Sequence, residues 1–243
     1  MILLFTDFGL AGPYQGQVKA VLHRAAPKVP VVDLFADAPA TNPRAASYLL
    51  AAYAREFARG SVFLCVIDPG VGSDRRAVVA RADERWYVGP DNGLFHAVLT
   101  QAQAIDAWEI TWRPERLSSS FHGRDLFAPV AADLARGHFP EGVAATKPET
   151  LKRDWPDDLA EVIYLDHFGN ALTGLRAARV GEGTCLAIDG VELDWARTFS
   201  EVPAGKGFWY ENANGLVEIA VNQGSAAANY GLQVGSPVRL IAP

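Results

Sequence analysis

The chain has 243 residues, 49% of them hydrophobic, with 28 acidic against 22 basic side chains and a net charge of −6. That length and apolar content support a sizeable core in one large domain or in a large and a small one. The acidic balance and the lack of any Lys/Arg run exclude nucleic acid or an anionic membrane surface as the main partner, and no stretch approaches the roughly 18 apolar residues of a membrane span, so a small-molecule partner is expected.

Met1–Phe5 is apolar but too short, and too uncharged at its start, for a secretory leader. It reads as a first strand over 2–6 of a cytoplasmic protein. A helix over 14–26, a strand over 30–35, a helix over 43–58 and a strand over 61–67 follow, with Pro27 and Pro43 marking a helix stop and a helix start. Strands at 77–82 and 85–89, a short helix from 93, a strand near 104–110 and a helix over 123–136 complete the pattern. This is the rhythm of an α/β domain with a central sheet flanked by helices. Gly137 to Asp158 carries prolines and mixed charge without a period and reads as a linker, giving domains at 1–145 and 161–243 with 146–160 between them. Beyond it, short strands alternate with turn signals such as Asp189-Gly190 and Asn214-Gly215, which supply the left-handed turns of tight hairpins. A small all-β barrel or sandwich is expected there. Cys65 and Cys185 form no ligand cluster, and both read as reduced core residues.

Chemistry concentrates at strand ends. The apolar run Ser61–Ile67 empties into Asp68-Pro69-Gly70-Val71-Gly72-Ser73-Asp74-Arg75. A carboxylate and an arginine thus share a loop where open α/β sheets place their ligands, with a plain turn as the alternative. Asp7, in Thr6-Asp7-Phe8-Gly9, is placed either to accept two ribose hydroxyl protons or to cap a helix. Gly89-Pro90-Asp91-Asn92-Gly93 reads as a turn and helix cap. Phe121-His122-Gly123-Arg124-Asp125 precedes an apolar helix, leaving His122 a catalyst or a cap and Arg124 with Asp125 an ion pair. Asp166-His167-Phe168-Gly169-Asn170 is either a turn or a set of groups for an amine, a purine ring and a purine edge. No metal site is expected, because His23, His96, His122, His138 and His167 are scattered without ligand spacing. Gly70-Val71-Gly72 lacks the partners of a phosphate-binding loop or a dinucleotide fingerprint.

In this order and spacing, Thr6–Gly9, Asp68–Gly72 with Arg75, Gly89–Gly93, Phe121–Asp125 with Phe127-Ala128-Pro129, and Asp166–Asn170 resemble the S-adenosyl-L-methionine (SAM) hydroxide adenosyltransferases. These are adenosine-forming SAM hydrolases related to the fluorinating and chlorinating SAM enzymes. The resemblance runs from residue 3 to about 240. It implies an N-terminal α/β domain, a C-terminal β-barrel and a homotrimer with active sites between subunits, with SAM as substrate and neither cofactor nor metal. It further implies a catalytic trio of Asp68, Arg75 and His122, with Asp7 on the ribose hydroxyls and Phe168 and Asn170 on the adenine. Asp166 would bind the methionine amine, and Phe199, Asn222 and Gln223 fall where the barrel closes over the adenine.

In the implied reaction an activated water attacks the ribose C5′ opposite sulfur. Methionine leaves as a neutral thioether, so no general acid is needed. Arg75 holds the water and favours hydroxide, His122 takes the proton, and Asp68 orients the pair. Halogenation is disfavoured: Asp68-Pro69-Gly70-Val71 replaces the tyrosine-bearing loop of the halogenating relatives, where a carboxylate repels halide, and Gly123 replaces the serine of the fluorinating ones. Gly12, Ala36 and Gly174 depart from the acidic residue, histidine and asparagine usual in the family, which lowers the expected hold on substrate. The competing readings are a non-catalytic SAM or adenosine-binding protein and a metal-dependent nucleotide phosphohydrolase built on Asp7, Asp68 and Asp91.

Overall fold

Runs such as Ile2-Leu3-Leu4-Phe5 and Val62-Phe63-Leu64-Cys65 are buried at every position, as expected of parallel strands covered on both faces by helices. The computed structural model describes residues 1–181 and 183–241; Glu182, Ala242 and Pro243, which the sequence reading assigns to the second domain, lie outside the described residues. Two compact units are present. The first comprises Met1–Ala51 and Phe57–Asp154, the second Ala52–Glu56 and the chain from Trp155 onward.

The first unit holds β1 (Ile2–Thr6), β2 (Val31–Phe35), β3 (Val62–Val66), β4 (Ala77–Ala82), β5 (Arg85–Pro90), β6 (Ile105–Ile110) and β7 (Val143–Thr146), in the spatial order β2-β1-β3-β5-β4-β6-β7. The four strands β2, β1, β3 and β5 are parallel, and β4, β6 and β7 extend the sheet antiparallel. From β1 the chain goes to β2 on one side and later sets β3 on the other. The space beyond the carboxyl ends of β1 and β3 is therefore a topological switch point, the place where such sheets bind ligands. Thr6 pairs with Val66, so Asp7 and Asp68 emerge side by side at that point.

Strand alternation sorts the two faces. Ile2, Leu4, Val62, Leu64 and Val66 pack with α1 (Tyr14–Ala25) and α4 (Ala128–Ala135), through Val18, Leu22, Val130 and Ala131. Phe5 and Phe63 point the other way. There Phe5 meets Phe35, and Phe63 stacks on Tyr87, whose ring reaches Phe95 at the start of α3 (His96–Gln101). The Ser47 hydroxyl of α2 (Pro43–Ala54) accepts a hydrogen bond from Ala97 N at 2.9 Å, tying α2 to α3.

Several elements differ from the sequence expectation. The second helix ends at Ala54, four residues early, because the chain turns there to pack Phe57 edge-on against Phe63. The expected helix over 123–136 opens as a wide π turn at Gly123–Phe127 before α4. Pro129 has no N–H to continue regular helical bonding. The segment read as a linker contains β7, which pairs with β6 from Ala107 opposite Thr146 to Ile110 opposite Val143. An edge strand is covered on one side only and needs no apolar run, so it left no period to detect. Asp91, beyond β5, is 8% exposed in its side chain and takes hydrogen bonds from Arg76 Nε and Arg153 Nη2, both at 2.8 Å. That carboxylate ties β4 and β5 to the chain that follows the 3₁₀ turn Pro148–Leu151.

In the second unit β8 (Leu159–Leu165), β9 (Ala171–Arg176), β12 (Gly207–Glu211) and β13 (Leu216–Val221) form one antiparallel sheet, and β10 (Cys185–Ile188), β11 (Val191–Leu193) and β14 (Arg239–Ile241) a second. Single bridges, Glu161 to Pro237 and Trp195 to Trp209, join their edges. The described residues contain no continuous closed sheet, so the expected β-barrel is replaced by two antiparallel sheets and a short helix, Ala226–Tyr230, over one core that includes Trp209, Leu186 and Ile188. Asp189 and Gly190 both take left-handed conformations in the β10–β11 turn. In the β12–β13 loop only Gly215 does, and Asn212 Oδ1 supplies the rest by accepting from Asn214 N and Leu216 N at 2.9 and 3.0 Å. Cys65 is a buried thiol as expected, whereas Cys185 is only partly covered and is not a core residue. Among the described residues no helix is long and apolar enough to cross a membrane.

Asp91→Asn removes the charge that pairs with both arginines while keeping the side-chain size. It is expected to lower unfolding stability by about 1–3 kcal/mol, read as a reduced urea midpoint at unchanged slope.

Candidate active site

The loop after β3 turns back on itself so that Arg75 reaches Asp68. Ser73 closes the turn by donating from Oγ to Gly70 O at 2.7 Å. Arg75 donates from Nε to Asp68 Oδ1 at 2.6 Å and from Nη2 to Asp68 Oδ2, a two-pronged ion pair with side chains only 9% and 4% exposed. The guanidinium lies 5.3 Å over the Phe127 ring. The same Nη2 reaches His122 Nδ1 at 3.0 Å. An arginine can only donate, so Nδ1 carries the lone pair and the neutral ring keeps its proton on Nε2. Burial, and then the Arg75 charge, lower the His122 pKa, with Asp68 opposing.

Two glycines permit this approach. A Cβ on Gly72 would collide with the carbonyl oxygen of Ser119, and its φ of +81° suits glycine alone. A Cβ on Gly123 would press on Phe8 at 3.2 Å and on Val66 at 3.3 Å. The approach to His122 is further fixed by Asp125, whose Oδ2 accepts from Ser118 N at 2.9 Å while Arg124 holds both carboxylate oxygens. That pair keeps the Asp125 pKa low, and the ion-pair reading of Arg124 and Asp125 stands.

Asp7 caps no helix through its side chain: α1 has Pro13 at its N-cap, and Asp7 Oδ2 instead accepts from Thr41 N at 2.9 Å. Burial raises the Asp7 pKa, and the Thr41 hydrogen bond opposes the rise. Asp7, Asp68 and His122 line one cleft of about 110 Å³, along with Phe8, Thr41 and Phe121. His122 and Arg75 also face a larger neighbouring cavity of about 430 Å³ that includes Arg113 and Ser119. The trio and Asp7 are thus brought together. Asp91 is committed to Arg76 and Arg153, and among the described residues no group of three or more His, Cys, Asp or Glu could hold a metal ion. The carboxylate trio of the phosphohydrolase reading therefore does not converge.

The remaining candidates lie on the second unit. Asp166 Oδ1 accepts from Phe168 N and Asn170 N at 2.9 and 2.8 Å, and its Oδ2 from Asn170 Nδ2 at 3.0 Å. Phe168 projects outward, 74% exposed. Phe199 packs edge-on against Phe208 and Tyr210, with ring centroids 5.1 and 5.4 Å away. Asn222 Nδ2 donates to Val202 O, which pins the loop behind Phe199. Gln223 is exposed, in a left-handed conformation at φ 56°.

Sequence reasoning passed over Thr41 and Glu218. Thr41 left no signal, since it acts through its backbone N–H. Glu218 did leave one, as a single charge inside the apolar run Leu216–Val221. Two departures from the family also gain a physical reason. A Cβ on Gly174 would sit 2.6 Å from Leu159 Cβ and 2.8 Å from its carbonyl oxygen, so this position serves strand packing. Gly12 takes φ +106°, a conformation that residues with a side chain rarely adopt.

Comparison with known proteins finds two family models. The SAM hydroxide adenosyltransferase N-terminal domain matches residues 2–144, and the C-terminal domain of the same name matches residues 160–239. The chain is 42% identical to the (R)-S-adenosyl-L-methionine hydrolase of Thermus thermophilus, covering 99% of both chains. It is 27% identical to a fluorinase of Actinopolyspora mzabensis, covering 99% of this chain and 96% of that one. The crystal structure of an uncharacterized conserved protein from Thermotoga maritima superposes with a TM-score of 0.87 at 29% identity, over 100% of both chains.

Arg75→Met removes the positive charge beside His122. The imidazole pKa, now held below its ordinary value of about 6.5, is expected to rise, as followed by NMR titration of the ring protons. An unmoved titration would mean that Arg75 and His122 do not meet.

Proposed function

The chain belongs to the SAM hydroxide adenosyltransferase family, and from that membership we infer that it hydrolyses S-adenosyl-L-methionine to adenosine and L-methionine. The observation that carries the residue assignments is the hydrogen-bonded series Asp68–Arg75–His122 at the switch point, in one cleft with Asp7. Water oxygen forms a bond to C5′ as the C5′–S bond breaks, the bonding pair going to sulfur. A cationic sulfonium becomes a neutral thioether, and the surplus proton passes to a base and then to solvent. Water alone balances the reaction, so no cofactor is called for. Holding the water in line opposite sulfur contributes up to about 7–11 kcal/mol of the barrier reduction.

In this scheme Arg75 holds the water oxygen and Asp68 holds Arg75. His122 is the proton acceptor, and it must exchange the Arg75 hydrogen bond at Nδ1 for the water, since its Nε2 already bears a proton. Asp7 accepts from the ribose hydroxyls. Phe168 and Asn170 take the adenine, Asp166 the methionine amine, and Phe199, Asn222 and Gln223 border the adenine. The acidic pair Asp7 and Asp68 suits a cationic substrate and repels halide, which supports hydrolysis over halogen transfer. The Thermus relative is named for the (R) sulfonium epimer, and we assign the same epimer to this chain. The outward Phe168 ring supports a homotrimer with active sites between subunits. Two free cysteines fit the reducing cytoplasm.

Incubation with an epimeric SAM mixture in ¹⁸O-labelled water is expected to deplete the (R) epimer and to place label in adenosine. Unlabelled or absent adenosine would overturn the hydrolytic assignment. The lowered His122 pKa means that the neutral ring persists below pH 6.5, so the acid limb of the kcat profile is expected below that value and absent in His122→Asn. Asp68→Ala is expected to cut kcat by about 10²-fold or more with little change in substrate affinity, measured by single-turnover kinetics and equilibrium binding.

A further inference from the structure

Glu218 is a buried charged side chain that the reaction leaves unassigned. It is 5% exposed, and it stands opposite Tyr210 in the β12–β13 ladder. Tyr210 Oη donates to Glu218 Oε1 at 2.5 Å and Asn212 Nδ2 donates to Oε2 at 2.9 Å. The side-chain amide of Asn170, itself 6% exposed, also faces this carboxylate and favours its charged form. The nitrogen of that amide donates to Asp166 Oδ2 at 3.0 Å. Carboxylates accept and do not donate. Asn170 therefore turns Nδ2, with its two protons, toward Asp166 and Glu218, which leaves Oδ1 as the amide's group for a ligand.

We propose that Glu218 is a positioning residue for substrate specificity: together with Asp166 it holds the Asn170 amide so that its carbonyl oxygen faces the purine, selecting a 6-aminopurine over a 6-oxopurine. This rests on the assignment of Asn170 to the purine edge under the proposed function. The amino group of adenine donates to that oxygen. A 6-oxo group sets oxygen against oxygen and leaves two acceptors unpaired, which a site built on hydrogen bonds rejects strongly. Tyr210 has a defined part. Burial and the nearby Asp166 charge both favour the neutral Glu218 carboxyl, and donation by Tyr210 and Asn212 opposes them. Without the tyrosine hydroxyl, Glu218 loses the donor opposite it in the ladder that fixes Oε1, and its hold on the Asn170 amide loosens.

The test is calorimetric titration of the full chain with adenosine and with inosine. The unsubstituted protein is expected to prefer adenosine by about tenfold or more. Glu218→Leu is expected to lower that preference about tenfold, equivalent to ~1.4 kcal/mol. Glu218→Gln, whose amide nitrogen donates to the Tyr210 oxygen while its Oε1 still accepts, keeps the preference within about threefold, and Tyr210→Phe lowers it severalfold. An unchanged preference in Glu218→Leu or in Tyr210→Phe, or equal losses for both nucleosides, overturns the proposal. Tyr210→Phe decides alone if Glu218→Leu does not fold. An unsubstituted protein that binds inosine as well as adenosine also overturns it, as does one that hydrolyses SAM yet binds neither nucleoside, whereas failure to form adenosine from SAM overturns the proposed function itself.

Discussion

The buried ion pair between Asp68 and Arg75 is the constraint on which the first unit's site depends. Either charge alone, at under a tenth exposed, would cost several kcal/mol, so each side chain is held where the other needs it. Two parallel hydrogen bonds fix the plane of the guanidinium. That plane in turn decides which nitrogen of His122 carries a proton. A lysine in place of Arg75 would keep the charge and lose the plane, and with it the contact to Nδ1.

Backbone chemistry makes the pair possible. Gly70 and Ser73 fold the loop over one turn, and Gly72 lets it pass against the Ser119 carbonyl just before His122. The π turn at Gly123–Phe127 then brings Gly123 against Phe8 and Val66, beside the carboxyl ends of β1 and β3. Charge supplies the chemistry of the loop, but its glycines set the distance over which the charges act.

The second unit solves a different problem with the same means. Its polar residues are tied to one another before any ligand arrives: Asp166 to the backbone of its own turn, Asn170 to Asp166, and Glu218 to Tyr210 and Asn212. A web of this kind is stable only when every member is satisfied, and it then presents a fixed pattern of donors and acceptors.

Much of this was legible along the chain. Continuous apolar runs bounded by turn residues gave the strands, prolines and glycines gave the breaks, and the ordered motifs around Asp7, Asp68, His122 and Asp166 identified the family, because strand ends and short loops keep their polar groups close in sequence. Other features depended on pairs far apart in the chain. β7 is visible only through its ladder to β6, Thr41 only through the N–H it directs at Asp7, and the tautomer of His122 only through an arginine 47 residues away in sequence. Gly174 reads as a lost asparagine until Leu159 is seen against it, and Glu218 as a stray charge until Tyr210, Asn212 and Asn170 surround it. The sequence by itself determined which groups are present and at which strand ends they emerge, because local periodicity and turn chemistry act over a few residues. Which groups meet and which proton each holds were decided only by the tertiary structure, since hydrogen bonds and burial act between segments that the chain order keeps apart.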